Sequence, residues 1–160
     1  MGIAITMKQY LTSHKIDYSE LPHEHTATAL QSANATHVAG GSVVKAVLLS
    51  DGREYLLAVL PANRRLEINR LCDFMGQDYE LAGEDEVGDV FNDCEIGAIP
   101  PVGDAYGLPV IWDDSLSKPD GVYLEAGDHE TLIRVNKDNF LRMMGDATHT
   151  TISQPVSAAY

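Results

Sequence analysis

The chain has 160 residues, 44% of them hydrophobic and 22% charged, with a formal net charge of −13 at pH 7. That length suits one domain with a two-layer core, and the balance is that of a globular chain rather than a disordered or membrane-bound one. The negative charge excludes general nucleic-acid binding by displacement of phosphate counterions, so any contact with RNA must rest on a few local bases that grip a terminus. The opening MGIAITMKQYLTSHK lacks the basic and apolar pattern of a secretory leader, and no stretch nears the roughly 18 apolar residues of a membrane span. Met1-Gly2 followed by Thr6 is too short a match to a myristoylation signal. Cys72 and Cys94 have no CxxC spacing, so reduced thiols in a cytoplasmic protein are the default.

In chain order, apolar spacing over Ile5 to Leu11 predicts an amphipathic helix ending near Ser13-His14, and Tyr18 to Leu21 a brief strand. A second helix should begin near Thr26 or Thr28, both N-cap candidates, and Gly40-Gly41 ends that region. Val43 to Leu49 and Tyr55 to Leu60 are β-rich runs joined by Ser50-Asp51-Gly52-Arg53, a hairpin signal. Asn63 to Phe74 and Glu84 to Phe91 carry helical spacing and are expected to cover one sheet face. Gly97 to Gly103, rich in Gly and Pro, must be a shaped loop. Val110 to Trp112, Gly121 to Glu125 and Leu132 to Val135 predict strands, and Asn136 to Met144 a closing helix. The expected architecture is α+β: a mixed, mostly antiparallel sheet flanked by helices in a single domain over 1–147, with 148–160 a flexible, fraying tail.

Three features could carry chemistry. Lys45 interrupts Val43-Val-Lys-Ala-Val-Leu-Leu49, a strand otherwise suited to burial. It is either a snorkelling side chain on an exposed face or a cation at the rim of a cleft. In Gly97-Ala98-Ile99-Pro100-Pro101, the glycine permits close backbone approach and the prolines fix the chain beyond it. Such a loop can present rigid N–H donors, or simply connect a helix to a strand. Gly127-Asp128-His129-Glu130 turns between two strands and carries an imidazole, a residue type that is usually inert in an exposed turn.

Together, Val43-Val-Lys-Ala-Val-Leu-Leu, Gly97-Ala-Ile-Pro-Pro-Val-Gly and Tyr123-Leu-Glu-Ala-Gly-Asp-His-Glu-Thr-Leu-Ile-Arg-Val resemble, in order and spacing, the YbaK / prolyl-tRNA synthetase-associated family over about residues 10–145. Lys45 matches the family's strand lysine, Gly97 and Pro101 its GxxxP loop, and His23 to Ala33 its early helix start. The resemblance implies a free-standing aminoacyl-tRNA deacylase that hydrolyses the ester between a wrong amino acid and the 3′ adenosine of tRNA. Its first candidate substrate is alanine on proline tRNA, with cysteine or serine adducts behind it. The implied catalytic residues are Lys45, Gly97 and His129, and the implied substrate-binding residues are Thr28, Ala98, Ile99, Pro101, Asp113 and Gly127. His129 resembles a histidine of alanine-directed members. Ala46, after Lys45, departs from a pattern in which a polar residue could assist the lysine. The implied partners are the acceptor end of mischarged tRNA and a prolyl-tRNA synthetase, with no DNA, no membrane, no cofactor and no metal.

The main alternative is a catalytically silent module that kept the fold and docks a synthetase or a small amino-acid-like ligand, which the acidic composition also suits. A metal hydrolase built on His23-Glu24-His25 is disfavoured, because that spacing supplies two ligands and no third. Gly40-Gly41 lacks the GK[ST] ending of a phosphate-binding loop.

Overall fold

The computed structural model describes residues 3–95 and 97–156. The Met1-Gly2 start and the last four residues of the expected tail lie outside them. The elements are α1 (Ile5–Ser13), β1 (Ser19–Pro22), α2 (Ala29–Thr36), β2 (Val43–Ser50), β3 (Tyr55–Pro61), β4 (Arg64–Leu66), α3 (Ile68–Met75), β5 (Glu80–Leu81), α4 (Glu84–Val90), β6 (Val110–Asp113), β7 (Gly121–Glu125), β8 (Thr131–Asn136), α5 (Lys137–Met144), β9 (Thr148–Thr150) and β10 (Ser153–Pro155). The main sheet runs β1-β8-β7-β2-β3-β6-β9, with β5 added to β2, and β4 pairs β10 in a second small sheet. Pairings β1/β8, β7/β8, β2/β3, β2/β5 and β4/β10 are antiparallel, whereas β2/β7, β3/β6 and β6/β9 are parallel. The sheet is therefore mixed and mostly antiparallel, with helices on both faces.

Local chemistry explains the elements that position the site. The β2/β3 hairpin closes where the Asp51 carboxylate accepts from the Arg53 and Glu54 amides, at 2.9 and 2.7 Å, with Gly52 at φ +94°. The N-cap of α2 is Thr28, whose hydroxyl accepts from the Gln31 amide at 3.1 Å. Asn136 caps α5 in the same way, accepting from the Asn139 amide.

Alternation along the central strands splits the core. Val44, Leu48, Leu57, Val59, Trp112 and Leu124 join one cluster with Met7, Tyr10 and Leu11 of α1, Phe91 after α4, and Phe140 and Met143 of α5. On the opposite face, Leu49, Leu56, Ala58 and Ile111 meet Leu71 of α3, while Val43 and Leu132 meet Ala29 and Ala33 of α2. Thus α3 and the chain around α4 cover opposite faces, not one shared face as the spacing suggests, because Leu71 and Phe91 join different clusters.

Two further expectations are corrected. The helix read from Asn63 to Phe74 begins only at Ile68, since Arg64–Leu66 is drawn into β4 by β10. The Arg64 guanidinium donates to the Ser153 hydroxyl and carbonyl at 2.7 and 3.0 Å, and the Glu67 amide to the Ile152 carbonyl at 2.7 Å. These long-range bonds outweigh a helical propensity that local spacing alone reports. The expected fraying after 147 likewise does not describe 148–156: β9 extends the sheet beside β6, and Ile152 is fully buried against α3 and the central strands.

Candidate active site

Strands β2 and β7 run parallel but pair only at Val43–Tyr123 and Val44–Leu124, and the same edge of β2 is taken up by β5 only at Leu49 and Ser50. Lys45 is the first residue of β2 past the β7 pairing, as Glu125 is of β7. Both share the face of Val43 and Tyr123. Along β2, Lys45 falls between Val43, which packs with α2, and Val47, which packs with α3. It is half-buried, and burial lowers its pKa from the ordinary lysine value. It has no ion pair within 4 Å among the described residues. A desolvated cation past the end of a strand pairing is suited to an external anion or carbonyl.

Beyond β7 the chain turns through Gly127, Asp128 and His129. The buried Asp128 carboxylate accepts from the Glu130 and Thr131 amides at 2.9 and 3.0 Å, which holds His129 in the left-handed region at φ +56°. The His129 carbonyl accepts from the Thr26 amide at 3.1 Å, tying the turn to the approach of α2. Its ring is 2% exposed, with Nδ1 3.0 Å from Glu125 Oε2. Glu125 is 1% exposed. Burial pushes its carboxyl above the usual range, opposed by the Ser32 hydroxyl and the His129 and His23 imidazoles. The His25 ring meets His129 edge-on at 6.0 Å between centroids and approaches Glu95 at 2.8 Å, a contact that raises its pKa.

The other edge of the His129 ring faces Gly97. A Cβ there would stand 3.1 Å from His129 Nε2 and 3.0 Å from the Ala27 carbonyl oxygen, and φ is +85°. Gly97, His129 and the residue before the Thr28 cap are therefore one neighbourhood, reached from three separate parts of the chain.

The remaining sequence candidates divide by place. Ala98, Ile99 and Pro101 are buried, Ile99 within the core cluster, so they brace the loop behind Gly97. Gly127 (φ +108°) lies against Ala4 and Cys94 and accepts from the Glu95 amide at 2.7 Å, which sets the start of the Gly97 segment. The Thr28 hydroxyl is engaged in capping. Asp113 does not join the group. Its carboxylate accepts from the Ser115 amide and hydroxyl and, at 2.8 Å, from the Ile152 amide. Asp113 thereby holds the C-terminal segment in place. In front of it, Arg64 and Lys118 line an open cavity of about 460 Å³ with Ser42, Asn63 and Ser115, at the start of β2, three residues from Lys45.

The sequence reading passed over Glu125, Ser32 and the His25–Glu95 pair. Glu125 carried a signal: it is a carboxylate in a strand of apolar neighbours, four residues before His129, the same anomaly that drew attention to Lys45. Ser32 and Glu95 carried none, being ordinary helix and loop residues. Burial pushes the Cys94 thiol up to about 12, beside Tyr106 and Asp93, which disfavours the thiolate. Among the described residues no three His, Cys, Asp or Glu side chains converge to hold a metal ion.

The model of the aminoacyl-tRNA editing domain family matches residues 23–143. No curated protein matches the chain. Among solved structures, the chain is similar to hypothetical protein APE2540 (TM-score 0.81, 22% identity, covering 93% of this chain and 99% of that one). It is also similar to "a putative trans-editing enzyme for prolyl tRNA synthetase" (TM-score 0.80, 24% identity, 94% and 96%), and to a scaffold protein from epitope backbone grafting by computational design (TM-score 0.79, 22% identity, 96% and 97%). At these identities the likeness is one of fold.

Proposed function

The chain belongs to the aminoacyl-tRNA editing domain family, and from that premise we propose that it hydrolyses, in trans, the ester between a mismatched amino acid and the 3′ adenosine of tRNA. The observation that carries this reading is the half-buried Lys45, which has no ion-pair partner among the described residues, at the end of the β2–β7 pairing whose other strand leads into His129 and the Gly97 loop. An aminoacyl ester is already reactive, so positioning water and stabilising an oxyanion supply much of the needed acceleration without a nucleophilic residue. In this mechanism Lys45 fixes the terminal nucleotide or its phosphate, and the backbone at Gly97 to Pro101 cradles the ester carbonyl. Water adds to the carbonyl carbon, the C–O bond to the ribose breaks, and the ribose oxygen leaves with a proton. The substrate's neighbouring hydroxyl activates the water while His129 orients it.

Alanine on proline tRNA is the first-choice substrate, ahead of cysteine and serine adducts. Selectivity would come from a sieve that admits the smaller amino acid, since one methylene is worth only about 1–3 kcal/mol in binding. The net charge of −13 requires local bases for RNA, and Arg64 and Lys118 at the cavity beside the start of β2 answer that need. The same acidity suits a silent module that docks a synthetase, the second reading. Deacylation of alanine-, cysteine- and serine-charged proline tRNA by the wild type and Lys45→Ala separates the two. Hydrolysis of one substrate that is lost in the variant supports the deacylase, and binding with no hydrolysis supports the module.

A further inference from the structure

We propose that Glu125 is the positioning residue of this site: its carboxyl holds the His129 imidazole through Nδ1 and so sets the ring edge that faces Gly97 and the ester. This rests on the deacylase reading. Position 125 is 1% exposed and sits across from Leu132 in the β7–β8 ladder, where an apolar side chain of similar volume would pack without desolvating a carboxyl. His129 carries a second cost, a left-handed backbone at φ +56°, of the kind that persists where surrounding structure imposes it. That structure is the Asp128 carboxylate on the Glu130 and Thr131 amides and the Thr26 amide on the His129 carbonyl. Two unfavourable arrangements thus meet at one contact of 3.0 Å between Nδ1 and Oε2.

A carboxyl oxygen 3.0 Å from Nδ1 selects, through that contact, the ring orientation and the tautomer that Nε2 presents. Nε2 is the nitrogen on the Gly97 side, where a Cβ would stand 3.1 Å away. The other groups that face this pair are the Ser32 hydroxyl, His23 and Asp128 around the carboxyl and His25 at the ring. Glu125 meets the ring at Nδ1, so it acts through His129.

The test uses Glu125→Met, Glu125→Gln, His129→Gln and the double variant Glu125→Met/His129→Gln on alanine-charged proline tRNA. Expected for Glu125→Met are an unchanged or higher Tm, KM within about twofold, and kcat lower by about 10-fold or more. The double variant should be no slower than His129→Gln alone. Unchanged kcat, or losses that multiply in the double variant, would overturn the proposal. A second readout is independent of activity and of the methionine variant's folding: the ring nitrogen resonances of His129 in the wild type and Glu125→Gln. A single tautomer that becomes a mixture in the variant supports the positioning role, and the same tautomer in both overturns it. If the wild type hydrolyses none of the charged tRNAs, the deacylase reading fails, and the resonances still decide whether Glu125 holds the ring.

Discussion

Gly97 and His129 are in such close approach that a single added carbon would fill the space between them: a Cβ at Gly97 would lie 3.1 Å from Nε2 of His129 and 3.0 Å from the carbonyl oxygen of Ala27. The backbone there is at φ +85°, which costs an L side chain about 1–2 kcal/mol. Gly97→Ala should therefore lower stability by that amount and displace the loop from the imidazole. Since misplacement on the scale of 1 Å can cost about 100-fold in rate, deacylation should fall by that order while circular dichroism shows the fold retained. An alanine variant with wild-type kcat would remove Gly97 from the site.

Lys45 should trade stability for activity. Burial lowers its pKa in the folded protein, so below that value the fold bears the cost of a desolvated cation. Between the folded value and the unfolded one near ~10.4, the unfolded chain binds more protons, and raising the pH relieves the cost. Lys45→Met removes the charge and keeps the stem. Its denaturation midpoint at pH 7 should equal or exceed that of the wild type, the advantage should shrink as the pH approaches 10, and deacylation should be lost. A methionine variant less stable at pH 7 would mean that the lysine has a favourable partner in the fold.

What the sequence disclosed of this site follows from the range of the forces involved. Lys45, Gly97 and His129 each break a local pattern, a cation in an apolar strand or a turn needing a positive φ, so they were visible one at a time. Their meeting was not, because Gly97 reaches His129 through a turn held by Asp128 and through the Thr26 amide, which no spacing encodes. The hairpin at Asp51-Gly52 was equally legible, being fixed by its own turn residues. Arg64 to Leu66 was misread as helix because its partner, β10, lies about ninety residues away and contains a proline and two polar residues. The bond from the Ile152 amide to Asp113 was equally hidden, because its donor lies in a segment that composition marks as tail.

Lys118 should contribute to affinity through charge. It lines the cavity with Arg64, whereas Arg64 is also committed to Ser153. Lys118→Ala is the cleaner probe. It should raise KM for charged tRNA several-fold at low salt, leave kcat and Tm unchanged, and reduce the salt slope by about one counterion. Equal KM for variant and wild type across salt concentrations would place the RNA elsewhere on the surface.

Asp113 should matter for stability and not for turnover. Burial alone would raise its pKa, but the Ser115 hydroxyl, the Ile152 amide and Ser153 outweigh it, and the net shift is downward. A carboxyl with a lowered folded pKa stabilises the fold above its unfolded value near ~3.9, and that contribution is lost as pH falls through the folded value. Asp113→Asn should cost about 1–3 kcal/mol at pH 7, and the gap to the wild type should close below about pH 4. KM and kcat measured below the lowered Tm should match the wild type.

Removal of residues 148–160 gives the sharpest test of where the folded unit stops. A fraying tail would leave stability unchanged. The structure instead buries Ile152 fully among Leu49, Leu56, Leu71 and Ile111, a contribution of about 2 kcal/mol. The deletion also strips Arg64 of both Ser153 acceptors and Asp113 of the Ile152 amide, each worth about 1 kcal/mol or more. It uncovers the edge of β6 that β9 occupies. A loss of about 4 kcal/mol or more follows from these terms together, which for a chain of this size lowers Tm by about 10 °C. The substitution Ile152→Ala alone should account for roughly half of that loss. If the truncated chain melts with the full-length protein, the contacts of β9, β10 and Ile152 do not hold in solution.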